Sequence, residues 1–394
     1  MRTPAGARPS VGSGVRDRLG DVTEIEIGRA KRARRVYSFD DVAIIPSRRT
    51  RDPEDVSTSW KIDAFSFEVP FVAAPMDSVM SPATAIEFGR LGGLGVLDLE
   101  GLWTRYDDPE PLLAEIADLP VKQATSRIQE IYREPVKGEL IKARLQQMRD
   151  AGVVVAGALS PQRTQEHFAD VLAAGADIFV IRGATVSAEH VSTKVEPLNL
   201  KKFIYELDTP VIVGGAASYT SALHLMRTGA AGVLVGFGGG AASTTRRVLG
   251  IQAPMATAIA DVAGARRDYM DESGGRYVHV IADGGVGHSG DIVKALACGA
   301  DAVMLGAALA RATDAPGQGW HWGAEARHTR LPRGNRVEVG TIGTLEEIVR
   351  GPADQAHGES NLVGALRYAM ANTGYTELKA FQRADVAVLN GPAE

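Results

Sequence analysis

The chain is predicted to fold as one α/β unit, a (β/α)8 barrel of parallel strands. Three observations carry this. Short, continuously apolar runs recur eight times along the sequence. Helix-patterned segments separate them, and glycine clusters at their ends. Continuous rather than alternating hydrophobicity marks parallel strands covered on both faces, and eight of them joined by helices close on themselves.

The runs are, in order, Val69–Met76, Gly92–Leu99, Gly152–Leu159, Ala176–Arg182, Thr209–Ala216, Ala230–Gly238, Val278–Gly285 and Ala300–Ala307. An internal echo supports the repeat: Gly175-Ala176-Asp177, Gly229-Ala230-Ala231 and Gly299-Ala300-Asp301 each end a helix and open a strand. Residues 1–28 are polar, without hydrophobic period, and are expected to be a flexible segment, leaving residues 29–394 for the barrel. The basic run Arg29–Arg35 is read as a solvated arm before the domain. Leu102–Ala151 reads as polar helices without assigned chemistry. Two loops exceed what a barrel needs: Gly236–Thr245, and a flap-like segment from about Thr313 to Thr344 that contains Trp320, His321 and Trp322. Long loops at the C-terminal face are where barrels keep specificity.

Composition narrows the function classes. Hydrophobic residues make up 45% and charged residues 23% of 394 positions, an ordinary globular mixture. A net charge of -5 argues against a general nucleic-acid or membrane-surface role. No leader-like or spanning apolar stretch occurs, and the single cysteine, Cys298, excludes an internal disulfide, so a cytoplasmic location is expected.

The strongest local chemistry is Asp283-Gly284-Gly285 with Gly306-Ala307 one unit later. Glycines ending the last two strands leave backbone N–H groups free for phosphate oxygens, and Asp283 at the rim suits a ribose diol. The alternative is a plain tight turn with Asp283 capping the next helix. Gly236–Gly240 lacks a P-loop lysine, and is suited instead to exposing carbonyls to a monovalent cation or placing Ser243 over a substrate.

Taken together, FDDV at Phe39–Val42, APMDS at Ala74–Ser78, GFGGGAASTTR at Gly236–Arg246, ADGGVGHSGD at Ala282–Asp291 and GADAVMLG at Gly299–Gly306 resemble the IMP dehydrogenase/GMP reductase family over roughly residues 36–385. Only about fifty residues follow the second strand, so the family's CBS pair has no room. The chain is thus similar to the CBS-lacking, IMP-dehydrogenase-related branch of actinobacterial type. The resemblance implies NAD-dependent oxidation of IMP to XMP, with Asp283 on the ribose and Gly285, Gly306 and Ala307 on the phosphate. It implies Met76 and Gly323 near the purine base, and carbonyls of Gly238, Gly240 and Ser243 on a potassium ion. Arg336 falls where the family uses an arginine to activate water. A homotetramer or higher homo-oligomer is implied too.

Departures from the family pattern converge on the chemical centre. Ser243, before Thr244 and Thr245, stands where the family has its nucleophilic cysteine. A thiol supplies thiolate near neutrality, whereas a serine needs a neighbouring base, and the nearest histidine, His224, lies in the preceding helical segment. Cys298, expected as a small buried residue at the opposite end, does not substitute. Arg182 replaces the aspartate that would contact the nicotinamide ribose; it suits an anion, or a pairing with Glu189. Ala241 replaces a serine of the loop. The sequence therefore predicts a purine monophosphate binder whose dehydrogenase turnover is weak or absent, with a regulatory pseudoenzyme and a GMP reductase-type enzyme as alternatives.

Overall fold

A computed structural model describes residues 24–46, 48–193, 196–237, 239–327 and 336–389. The described residues from Glu24 to Val36 belong to a unit of their own. Within it Glu24–Gly28 pairs antiparallel with Lys31–Arg34, so the basic run lies on a solvent-facing hairpin.

From Tyr37 onward the chain is a (β/α)8 TIM barrel. Its strands are β1 (Phe71–Ala73), β2 (Val96–Asp98), β3 (Ala156–Leu159), β4 (Ile178–Arg182), β5 (Val211–Ala216), β6 (Gly232–Val235), β7 (His279–Asp283) and β8 (Ala302–Leu305). Every predicted run contains one. All neighbouring pairs are parallel, in the order β1-β8-β7-β6-β5-β4-β3-β2. A bridge between Val72 and Leu94, just ahead of β2, brings the two edges together. The runs are apolar throughout because the strands are covered on both faces: Phe71, Val72, Ile178, Phe179, Val233 and Ile281 are all fully buried.

Gly175, Gly229 and Gly299 take φ of 72°, 96° and 117°. Each supplies the left-handed residue that turns a helix end into the next strand, which explains the echo in the sequence. Three helices, Glu110–Asp118, Val121–Ile131 and Gly138–Asp150, fill the connection after β2. A hairpin of Trp60–Ile62 with Phe65–Phe67 closes the N-terminal end, its Ile62 fully buried close to Gly232. Beyond β8, Trp320–His321 pairs with Val337–Glu338, and three further helices lead to Val386–Val388, which pairs with Val42–Ile44. Among the described residues no helix is long and apolar enough to cross a membrane.

Candidate active site

At the C-terminal end of the barrel lies a cavity of about 1020 Å³, walled by the residues that follow the strands. Asp283 closes β7 and Arg182 closes β4. They meet across the barrel mouth: Arg182 Nε donates to Asp283 Oδ2 at 2.9 Å and Nη2 to Oδ1 at 3.2 Å. The strands between them carry Gly214 and Gly215 on β5, and Gly236 follows β6. A Cβ at Gly236 would lie 2.3 Å from the carbonyl oxygen of Asp283. Burial works against the charge on Arg182, but Asp283, with Glu325 and Asp98, raises its pKa above the ordinary value. The partner is therefore Asp283, not Glu189.

Several predicted ligand residues line this cavity together: Met76, Arg182, Gly240, Ser243, Asp283, Gly285, Gly306, Ala307 and Gly323. Gly284 and Gly285 sit at φ of 113° and 71°, a backbone run that β-carbons would strain. Among the described residues, none of the N–H groups of Gly284, Gly285, Gly306 and Ala307 donates a hydrogen bond. Met76 is wedged between two glycines: a Cβ at Gly323 would come within 2.8 Å of its Cε, and one at Gly306 within 3.6 Å of its Sδ.

Other predicted residues do not join the cavity as expected. Arg336 is 3% exposed and turned away. Its guanidinium donates to the carbonyls of Ile116, Ala117 and Leu119 and stacks 3.6 Å from the Trp320 ring. It caps the C-terminal end of a helix, as cations there do, and is held as a donor rather than a base. Thr245 is buried beneath the loop, where its Oγ1 accepts the Ser243 hydroxyl at 3.2 Å. Neither threonine is a base, so Ser243 has no activating partner there. Cys298 ends helix Ser289–Ala297 below β8; it is half-buried rather than fully buried, and burial pushes its thiol up to about 11.

The fit to cofactors follows from the same contacts. At the end of β4, where the resemblance implied an aspartate on the nicotinamide ribose, the chain offers Arg182, a donor-only side chain already turned onto Asp283, so that carboxylate contact to NAD is missing. Gly240's carbonyl accepts the Ser243 N–H at 3.0 Å, curling the loop on itself, and Gly238 lies outside the described residues. Among the described residues no cluster of three or more His, Cys, Asp and Glu suits a metal ion.

Among the wall residues that sequence reasoning missed, three are polar groups at the barrel mouth or the flap base. Asp98 closes β2, and Glu100 follows it, its carboxylate accepting the Ser160 N–H at 2.5 Å. His321 reaches the cavity from the flap base, tied to Ser78 of APMDS. Polar residues at or just beyond the C-terminal end of β2 were the available signal for the first two.

The IMP dehydrogenase/GMP reductase domain model matches residues 36–335. An uncharacterized oxidoreductase of Mycolicibacterium smegmatis is 50% identical over 92% of this chain and 99% of its own. The inosine-5'-monophosphate dehydrogenase of Thermoplasma acidophilum is 29% identical over 72% of this chain and 74% of its own. A crystal structure of an IMP dehydrogenase/GMP reductase-like protein from Corynebacterium glutamicum superposes with a TM-score of 0.88 at 49% identity, covering 93% of this chain and 98% of that one. From the barrel and these matches, the chain belongs to the IMP dehydrogenase/GMP reductase family.

Proposed function

We propose that this barrel binds a purine nucleoside 5′-monophosphate such as IMP, XMP or GMP and lacks the covalent dehydrogenase step. The observation that carries the binding is that Gly284, Gly285, Gly306 and Ala307, whose N–H groups donate to no described residue, line one cavity with the Asp283 carboxylate. Phosphate oxygens would accept from that backbone. Arg182 takes one lone pair on each Asp283 oxygen, and each keeps another for a ribose hydroxyl. The Ser243 hydroxyl, whose partner among the described residues is Thr245, is given no base by that contact and so no means to attack a purine carbon. The same reading takes the protein as a cytoplasmic homo-oligomer of regulatory rather than metabolic use.

The test is a calorimetric titration with IMP, XMP and GMP, followed by an NADH assay of wild type and Ser243→Cys. Saturable binding of at least one nucleotide, without NADH from wild type, is expected. Sustained NADH formation by wild type would return the chain to the dehydrogenases, and binding of no purine monophosphate would remove the ligand assignment.

A further inference from the structure

His321 is 2% exposed and lies at the base of the flap against the cavity wall. Its Nδ1 is 3.0 Å from Ser78 Oγ. Ser78 is clamped from both sides by one residue, lying within donating distance of the Trp322 carbonyl (3.1 Å) and accepting the Trp322 N–H (3.2 Å). Trp322 is fixed in turn, because its indole N–H donates to Tyr132 Oη at 3.0 Å and the Tyr132 hydroxyl donates to Asp77. The imidazole is therefore held by a continuous set of buried hydrogen bonds. Its other nitrogen, Nε2, bonds to no described residue, and the ring lines the cavity. A Cβ at Gly306 would be 3.6 Å from His321 Cε1 and equally far from Met76 Sδ, so the ring edge shares one corner with both.

Burial, reinforced by Arg182, lowers the His321 pKa to about 4, so the ring is neutral near pH 7. A neutral imidazole carries one donor and one acceptor. When the Ser78 hydroxyl turns to the Trp322 carbonyl, Nδ1–H donates to Ser78 and Nε2 is an acceptor. When the hydroxyl turns to Nδ1, Nε2–H becomes a donor. A site that disfavours the imidazolium is poorly matched to a phosphate and well matched to an uncharged polar edge.

We propose that His321 is a positioning residue that hydrogen-bonds the heterocyclic base of the bound nucleotide through Nε2, with the Ser78 hydroxyl selecting whether it accepts or donates. This rests on the purine monophosphate reading and names a contact within it. His321→Asn keeps a polar group near Ser78 and removes the one facing the cavity; His321→Gln restores an amide near the Nε2 position. IMP and ribose 5-phosphate are titrated into wild type and both variants, with thermal unfolding as the check on folding. His321→Asn is expected to weaken IMP roughly five- to tenfold, the worth of one neutral hydrogen bond, and to leave ribose 5-phosphate unchanged. His321→Gln is expected to recover most of the loss. Unchanged IMP affinity in His321→Asn, or an equal loss for both ligands, overturns the role of His321 while leaving the nucleotide reading standing. If wild type binds neither ligand, the nucleotide reading falls and this contact with it.

Discussion

Removing the Arg182 guanidinium is expected to destabilise the barrel by about 2–4 kcal/mol, although it sits at the wall of an open cavity. Asp283 is 8% exposed, and the Arg182 side chain is 27% exposed. At a charge separation of about 4 Å and an effective dielectric near 20, their attraction is on the order of 4 kcal/mol. Deleting one partner of a buried pair typically costs about 3–5 kcal/mol, because the other charge stays behind without compensation. The partial exposure of Arg182 reduces that figure, since water screens the guanidinium and relaxes into its place. Arg182→Met isolates the effect by keeping the apolar stem. Asp283→Asn should cost less, because Glu325 and Asp98 still face the guanidinium. Urea unfolding followed by tryptophan fluorescence, on both single variants and the double, yields the cycle. A coupling of about 2 kcal/mol is expected between side chains that share two hydrogen bonds. Costs that add within about 0.5 kcal/mol, or an Arg182→Met variant as stable as wild type, would refute an energetic bridge across the mouth.

Three further outcomes follow from the same contacts. Asp301, 8% exposed at the other end of the barrel, accepts from Arg266, Tyr277, Gln382 and the Val280 N–H; Asp301→Asn should lower stability by about 3–5 kcal/mol in the same unfolding assay, because Arg266 is left buried and unpaired. Burial raises the Cys298 thiol to about 11, so native protein at pH 8 should react with a disulfide reagent at least ~100-fold more slowly than urea-unfolded protein; comparable rates would place the thiol in solvent. His321 has a folded pKa of about 4 against 6.5 unfolded, so the unfolded chain binds its proton first as pH falls. Its contribution is complete above pH 6.5 and is lost progressively toward pH 4, about 2 kcal/mol of it by pH 5, and His321→Gln should show a correspondingly shallower loss between pH 7.5 and 5.

The barrel was legible in the sequence because its determinants are local. A strand covered on both faces must be apolar at every position, whatever its neighbours are, and a left-handed turn residue must be glycine whichever helix it ends. Gly284, Gly285 and Gly306 were legible on the same ground, since free backbone N–H groups at strand ends need only glycine and the direction of the barrel. The absence of a thiol at Ser243 is likewise a property of one position.

What the tertiary structure decided is which side chains meet. Arg182 had candidate partners by type, and only barrel closure, with glycine at the intervening strand ends, brings it to Asp283, 101 positions away. Arg336 was assigned to chemistry by its place in the flap, yet three carbonyls around the end of helix Glu110–Asp118, some 220 positions earlier, hold it as a cap. His321 looked like an ordinary loop residue until Ser78, 243 positions before it, fixed one of its nitrogens while the ring lines the cavity. Backbone conformation is set by residues within a few positions, whereas the partner of a polar side chain is set by whichever distant group the closed barrel delivers within about 3 Å.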